Sequence, residues 1–136
     1  MSKQLLCGRH MKKIIIGLGV YYTLIGIYML FVPIHFYENT PGVSMMGPYN
    51  AHFITDVSFA FLASGVALQL GAFQSIKSTI IVGALWPFMH ALFHITIWVN
   101  RGFLIDYVTV SDFFAVIVPG LFVMLVAIKF DEVHNV

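Results

Sequence analysis

Charge is the scarcest feature of this sequence. Its 136 residues include seven lysines and arginines and six aspartates and glutamates, and the formal net charge is +1. So few cations form no basic patch for the phosphates of a nucleic acid, which excludes a nucleic-acid-binding protein. Charged residues make up 10% of the chain, whereas soluble domains carry about 25%. The shortage of charge therefore argues against a water-soluble domain.

Cysteine is nearly absent as well. The single cysteine, Cys7, cannot form an internal disulfide, which excludes a secreted disulfide scaffold. Cys7 also precedes the first apolar run, so it does not occupy the position of a lipoprotein cysteine behind a signal peptide. Hydrophobic residues, in contrast, make up 60% of the chain, and the mean hydropathy is +0.91. These values are typical of a protein whose partner is the lipid bilayer.

Four apolar runs are long enough to cross a membrane. A spanning helix needs roughly 20 mostly apolar residues, and the runs predict helices at about 13–33, 51–74, 78–99 and 110–129. The last helix reaches this length only if Asp112 lies in its first turn, where the helix dipole favours a carboxylate. Four spans leave no room for a second domain. We therefore predict an all-α fold in which residues 1–136 form one integral membrane four-helix bundle.

The positions of the lysines and arginines predict the orientation of the helices. Six cations lie before the first helix, between the second and third helices, or at the end of the fourth: Lys3, Arg9, Lys12, Lys13, Lys77 and Lys129. The loops at the other face contain one cation, Arg101. The positive-inside rule then places both termini in the cytoplasm. We expect a multi-pass protein of the bacterial inner membrane, in which residues 1–10 are either a disordered extension or the product of an upstream start.

Ionisable residues are concentrated in the second and third predicted helices. His52 and Asp56 are four residues apart, as are His90 and His94, and residues at this spacing share one face of a helix. The second helix begins at the outer face of the membrane and the third helix ends there, so the four side chains are predicted to lie at a similar depth. We therefore expect them to converge in the outer half of the bundle.

This convergence predicts a metal site. Imidazole and carboxylate groups suit divalent transition metals such as zinc, iron or copper, and a metal would compensate for a carboxylate that costs about 2.5–3.5 kcal/mol to insert into a bilayer. The leading hypothesis is an integral membrane metal-binding protein that acts either as a metal-dependent enzyme or as a redox protein, with residues 34–50 as a lid over the site. The predicted metal ligands are His52, Asp56, His90, His94 and, from the fourth helix, Asp112.

Two other classes of function remain open. In the first, histidines of the second and third helices ligate haem b, and the protein is an electron-transfer subunit. In the second, the histidines and aspartates form a structural hydrogen-bonding network, and the protein is a non-catalytic partner subunit that binds another membrane protein or a second copy of itself. Asp112 has its own alternative, because it also fits the role of a carboxylate at a helix N-terminus. Tyr28 is a further candidate for the site, beside a belt-residue interpretation.

Two short motifs carry a resemblance to known proteins. The stretch from Pro48 to Asp56 reads PYNAHFITD, and the stretch from His90 to His94 reads HALFH. They resemble the PYNxHxxxD and HxxxH motifs of small, uncharacterised bacterial four-helix membrane proteins, a likeness that implies topology but no activity. This chain has Ser58 where that pattern has glycine. The size and topology are also similar to those of DoxX-type membrane proteins, in a weaker likeness without motifs.

Overall fold

The computed structural model describes the backbone of residues 3–130 and the side chains of residues 9–130. Within this range the chain is helical and contains no β-strand. Four helices are long and apolar enough to cross a membrane, namely Arg9–Phe31, Ala51–Gln74, Lys77–Asn100 and Tyr107–Lys129. The prediction of an all-α chain with four helices of spanning length is therefore confirmed.

The helices follow one another with short connections. The elements are α1 (Lys3–Phe31), α2 (Pro33–Asn39), a 3₁₀ turn (Val43–Met45), α3 (Ala51–Gln74), α4 (Lys77–Asn100), α5 (Tyr107–Asp112), a π-helical segment (Phe113–Ile117) and α6 (Val118–Lys129). Residues 3–10, for which the sequence suggested a disordered extension or an upstream start, continue helix α1. Residues 1 and 2 lie outside the described residues.

Caps in the sequence explain where the helices begin and end. The Asn50 side chain accepts a hydrogen bond from the Phe53 backbone N–H at 3.0 Å and so caps α3, which satisfies one of the free donors of the first turn. Helix α3 ends at Gln74, and the next residue, Ser75, has a φ of 58° in the left-handed region. Only Ser75 and Ile76 separate α3 from α4. This tight turn makes α3 and α4 antiparallel neighbours.

The residues that line one cavity, described below, show which helix ends lie together. The cavity is lined by residues from the second half of α1, the start of α3, the second half of α4 and one face of α5. We call this end of the molecule, which also contains residues 32–50 and 101–106, the loop end. Around the molecule, α1 packs on α3, α3 on α4 and α4 on α6, while α1 and α6 meet at fewer positions.

Small residues bring α1 and α3 close together. A Cβ atom added to Gly19 would lie 2.9 Å from the Gly65 carbonyl oxygen, and one added to Gly65 would lie 2.7 Å from the Gly19 carbonyl oxygen. The two backbones therefore touch at this crossing, as they do in membrane helix pairs built on small residues. A hydrogen bond of 2.9 Å from Gln69 Nε2 to Thr23 Oγ1 joins the helices beside it. The buried face of α3 consequently contains these small residues.

A proline shapes the last span. Pro119 has no N–H for the carbonyl of Ala115, four residues earlier, and its ring would clash with that carbonyl in a regular α-helix. The chain widens into the π-helical segment at this point, and the Val118 N–H bonds to the Phe113 carbonyl five residues back. The Tyr21 hydroxyl on α1 donates a hydrogen bond of 2.6 Å to the Ala115 carbonyl. A side chain of α1 thus satisfies the acceptor that Pro119 leaves without its usual partner.

The crossing of α1 and α3 gives a matched test of packing. We expect Gly19→Ala to lower the free energy of unfolding by about 1–3 kcal/mol, because the new methyl group would overlap the α3 backbone. Gly17→Ala is the control on the same helix, since nothing lies within 4 Å of a Cβ at that position. Thermal unfolding in detergent should show a lower melting temperature for Gly19→Ala alone. Equal melting temperatures for the two variants would contradict the close approach.

Candidate functional site

A cavity of about 720 Å³ lies among the helices at the loop end. Pockets for drug-sized molecules typically measure about 300–1,000 Å³ and are mostly apolar with a few polar groups. The wall of this cavity is of that type, because aliphatic and aromatic side chains dominate it. Residues 40–48, which we call the cap segment, contribute much of the wall beyond the helix ends. Apart from tyrosines, the ionisable side chains of the cavity wall are His90, His94, Arg101 and Asp112.

His94 and Asp112 form a pair in this wall. His94 lies on α4 and Asp112 ends α5, and the distance from Nδ1 of His94 to Oδ2 of Asp112 is 3.0 Å. Both side chains are largely shielded, with exposed fractions of 19% and 16%. The two atoms are close enough for an ion pair, although the Nδ1 direction does not meet the geometry of a hydrogen bond. The structure thus brings together two of the predicted site residues from separate helices.

His90 belongs to an aromatic cluster beside this pair. Its ring stacks on Trp86 with an interplanar angle of 15° and a centroid distance of 5.6 Å. The ring of Phe61 from α3 contacts His90 edge-on at 5.5 Å, and the His90 and His94 rings are 4.6 Å apart. Stacked and edge-on arrangements of this kind are favourable for aromatic pairs. His90 therefore lies in an aromatic wall next to the His94 and Asp112 pair.

Unsatisfied polar atoms are concentrated in the same wall. Among the described side chains, the buried nitrogen and oxygen atoms without a hydrogen-bond partner are Tyr22 Oη, Trp86 Nε1 and His94 Nδ1. Each of the three residues lines the cavity. A buried polar group without a partner costs about 1–3 kcal/mol, and such groups in native proteins call for a specific explanation. Their concentration around one cavity marks this wall as the candidate functional site.

The other predicted pair lies elsewhere. His52 Nδ1 and Asp56 Oδ2 are 2.8 Å apart, which confirms that the two residues share a helix face. Their side chains are 85% and 62% exposed, however, and the cavity is lined by other α3 residues, such as Ile54 and Phe61. The predicted convergence of four side chains is therefore replaced by two separate pairs. The physical reason is that α3 turns its small residues toward α1, which leaves the face with His52 and Asp56 outside.

These positions bear on the proposed metal ligands. Among residues 9–130, no group of three or more histidine, cysteine, aspartate or glutamate side chains is arranged to hold a metal ion. The donor set expected from His52, Asp56, His90, His94 and Asp112 is thus divided, and metal binding by these residues stays a prediction. Tyr28, the further candidate, lines the cavity, but its hydroxyl lies 2.6 Å from Nδ1 of His35 on α2.

The sequence reasoning missed a polar network at the loop end. The Arg101 guanidinium forms an ion pair with Asp106 and donates a hydrogen bond of 3.2 Å to Thr109 Oγ1. Asp106 also caps α5 by accepting a hydrogen bond of 2.9 Å from the Thr109 backbone N–H. Asp106 stands three residues before Thr109, and an aspartate directly before a helix is a capping signal that the sequence contains. Arg101 lines the cavity, yet its charge is already balanced by Asp106.

The residues of the wall can support acid–base chemistry. In a neutral imidazole one ring nitrogen is a donor and the other an acceptor. Nδ1 of His94 lies 3.0 Å from Oδ2 of Asp112, so Nε2 is the ring nitrogen that remains for a ligand. A carboxylate beside an imidazole is the arrangement that orients the histidine in many general-base sites. The pair therefore has the composition of a general base at the edge of an apolar cavity.

Known proteins add no further constraint on this site. Comparison of the chain with protein-family models, with curated proteins and with solved structures finds no match. Function must therefore be inferred from the cavity and its side chains.

The network at Arg101 predicts how the loop end responds to acid. The hydrogen bonds from Arg101 and from the Thr109 backbone lower the pKa of Asp106 from 3.8 to about 2. A depressed pKa contributes stability that is present above pH 3.8 and is lost as the pH falls through about 2. We expect Asp106→Asn to lower the melting temperature near neutral pH and the difference from the wild type to vanish near the lower value.

Thermal unfolding between neutral and acidic pH in an acid-tolerant detergent measures this difference. Asparagine can still accept the capping hydrogen bond, so the variant isolates the effect of the charge. Glu38→Gln, which removes an exposed carboxylate of α2 at the same end of the molecule, is the control. A difference that persists at the lowest pH would rule out the Arg101 and Asp106 pair as its source.

Proposed function

We propose that this chain is a multi-pass membrane protein that binds a small molecule in the loop-end cavity and exchanges a proton with it through His94 and Asp112. One observation carries the proposal: a cavity of about 720 Å³ with a mostly apolar wall has the His94 and Asp112 pair in that wall. Unpaired buried polar atoms of Tyr22 and Trp86 in the same wall support it. Apolar pockets with few convergent polar groups are the usual form of a ligand site.

The proposed proton exchange begins with an acidic ligand hydroxyl near His94, such as that of a phenol, because an imidazole is too weak a base to take the proton of an aliphatic alcohol. The hydroxyl proton moves to Nε2 of His94, the ligand keeps the electron pair as an oxyanion, and the Asp112 carboxylate balances the new imidazolium charge. The groups that surround this pair are His90 on α4, the tyrosines of α1, and Arg101, whose charge Asp106 balances. From α3 the wall receives apolar side chains such as Val57. No second carboxylate of the described residues lines the cavity to compete for the proton.

We propose a bacterial inner membrane as the setting, with the four helices forming a bundle and both termini in the cytoplasm. The support is the distribution of lysines and arginines, which favours the face opposite the loop end. Lys12 follows this pattern, and its Nζ donates a hydrogen bond of 3.1 Å to the Phe73 carbonyl near the end of α3. In this orientation the cavity lies in the outer half of the membrane.

The binding proposal is tested with a 4-nitrophenol that carries an alkyl chain, because its deprotonated form is yellow. We expect saturable binding to the wild-type protein in lipid nanodiscs, with the bound probe deprotonated. In His94→Gln we expect about tenfold weaker binding and a colourless bound probe, since a hydrogen bond to a charged group contributes roughly 1.5–3 kcal/mol. Asp112→Asn should also reduce the colour, because the imidazolium loses its counter-charge.

His52→Gln is the matched control for this experiment. It makes the same change at a histidine that also pairs with an aspartate but is 85% exposed outside the cavity. Binding and colour should match those of the wild type. Either an absence of saturable binding or equal colour in His94→Gln and the wild type would reject the proposal.

The metal hypothesis has a separate test. It predicts stoichiometric zinc, iron or copper in protein purified without chelator, with loss of the metal in His90→Ala, because an imidazole ligand would be removed. Elemental analysis measures the metal, and His10→Ala, which replaces a histidine at the far end of α1, is the control. A visible spectrum of the same sample tests the haem b alternative through its Soret band. Metal-free and colourless protein would remove both hypotheses.

A further inference from the structure

Two elements that line the cavity pack loosely on each other. Helix α1 packs on α3 and meets α6 at fewer positions, but neither α5 nor the π-helical segment packs extensively against it. Residues of α1, of α5 and of the π-helical segment nevertheless all line the cavity. We call this region, bounded by Ile25 and Tyr28 on α1 and by Ser111 and Ala115 on the last span, the lateral slit.

Two contacts mark the ends of the lateral slit. Toward the middle of the molecule, the hydrogen bond of 2.6 Å from the Tyr21 hydroxyl to the Ala115 carbonyl joins the two helices. At the loop end, the cap segment reaches α5, where a Cβ added to Gly42 would lie 2.7 Å from Cγ1 of Val108. Between these contacts Ala115 is exposed and lines the cavity. A ligand that crosses the wall in this region would pass Ala115.

The surface around the lateral slit is apolar. Leu24 on α1 is 59% exposed and Phe114 on the last span is 69% exposed, and both lie within helices long and apolar enough to cross a membrane. In a bilayer these side chains contact hydrocarbon rather than water. A molecule that passes between α1 and α5 would therefore come from the lipid phase.

The polar end of the cavity restricts the chemistry of such a molecule. Asp112 lies next to Ser111 at the slit, and the nearby Arg101 is held by Asp106 and Thr109. A ligand that arrives as an anion brings no proton for His94 and meets the Asp112 carboxylate as a like charge, whereas a hydroxyl arrives neutral with a proton to share with His94. His94 and Ser111 accept and donate hydrogen bonds. A neutral hydroxyl fits these groups better than a phosphate or carboxylate does.

We propose that the ligand is a neutral, hydroxyl-bearing amphiphile that enters the cavity from the bilayer through the lateral slit. Its hydroxyl lies at His94 and Asp112, and its hydrocarbon part lies in the apolar cavity. This inference rests on the proposed binding site, whose size suits a molecule of this kind. It names the class of ligand and the route by which that ligand arrives.

The test uses a long-chain primary alcohol that carries a diazirine, placed in phosphatidylcholine nanodiscs with the protein. After illumination, peptide mass spectrometry should find adducts on the far wall of the cavity, at Ile54 and Phe61 of α3, because both residues line the cavity and are buried from the surroundings of the protein. Ala115→Trp should reduce these adducts about fivefold or more, because the indole fills an opening of small-molecule size. Ala115→Leu should give a smaller reduction, and it keeps the test valid if the tryptophan variant fails to fold. The Ala115 carbonyl that accepts the Tyr21 hydrogen bond is unchanged in both variants.

Phe114→Trp is the control, since it adds an indole to the adjacent lipid-facing residue, which does not line the cavity. Its adducts should match those of the wild type. A fatty acid with the same chain and diazirine tests the headgroup, and we expect it to label the far wall less than the alcohol does. Equal labelling by the two probes would overturn the hydroxyl class, and unchanged labelling in Ala115→Trp would overturn the lateral route. Both of these results leave the binding site in place, whereas no adducts on the far wall in the wild type would reject the proposed function itself.

Discussion

Asp112 lies within a helix of spanning length, and its carboxylate is shielded inside the protein against His94. Their side-chain atoms approach to 3.0 Å although the residues belong to different helices. A lone carboxylate in hydrocarbon is costly, so the relative position of α4 and α5 is coupled to this pair. The aromatic rings of Trp86 and His90 support the same wall from α4. The candidate site therefore depends on one contact between α4 and α5.

The irregular last span allows both the contact between His94 and Asp112 and the close packing of α6 on α4. Pro119 excludes a regular helix over the preceding turn, and the π-helical segment lies directly between α5, which ends at Asp112, and α6. Past this segment α6 packs tightly on α4, where a Cβ added to Gly120 would lie 2.6 Å from the Ala91 Cβ. Short π-helical segments often occur at functional sites. Here the segment lets α5 and α6 present different faces to α4 within one span.

Much of the fold follows from the sequence by simple physical rules. Runs of apolar residues predict four helices of spanning length because the bilayer requires about 20 such residues for each. The pairing of His52 with Asp56 likewise follows from the helical repeat. Which face of α3 points inward does not follow, because side-chain polarity alone cannot reveal the packing partner. The signal lay in Gly19 and Gly65, whose close approach turns the polar pair away from the other helices.

Only part of the candidate site could be predicted from the sequence, for a similar reason. Asp112 was identified both as a candidate ligand and as a helix-terminal carboxylate, and its contact with His94 depends on how the last span is rotated. Pro119 indicated an irregular helix, but the donor from Tyr21 comes from a residue 94 positions away from Ala115. Long-range contacts of this kind have no local pattern. The cavity is formed by four helices and the cap segment together, so no single stretch of the sequence predicts it.

The contact between His94 and Asp112 can be measured directly by solid-state NMR in lipid bilayers. With nitrogen-labelled histidine and carbon-labelled aspartate, a distance of 3.0 Å from Nδ1 to Oδ2 predicts a strong correlation between His94 Nδ1 and the Asp112 carboxyl carbon, and this correlation should disappear in His94→Gln. A spectrum in which His94 correlates with lipid protons and not with Asp112 would contradict the account.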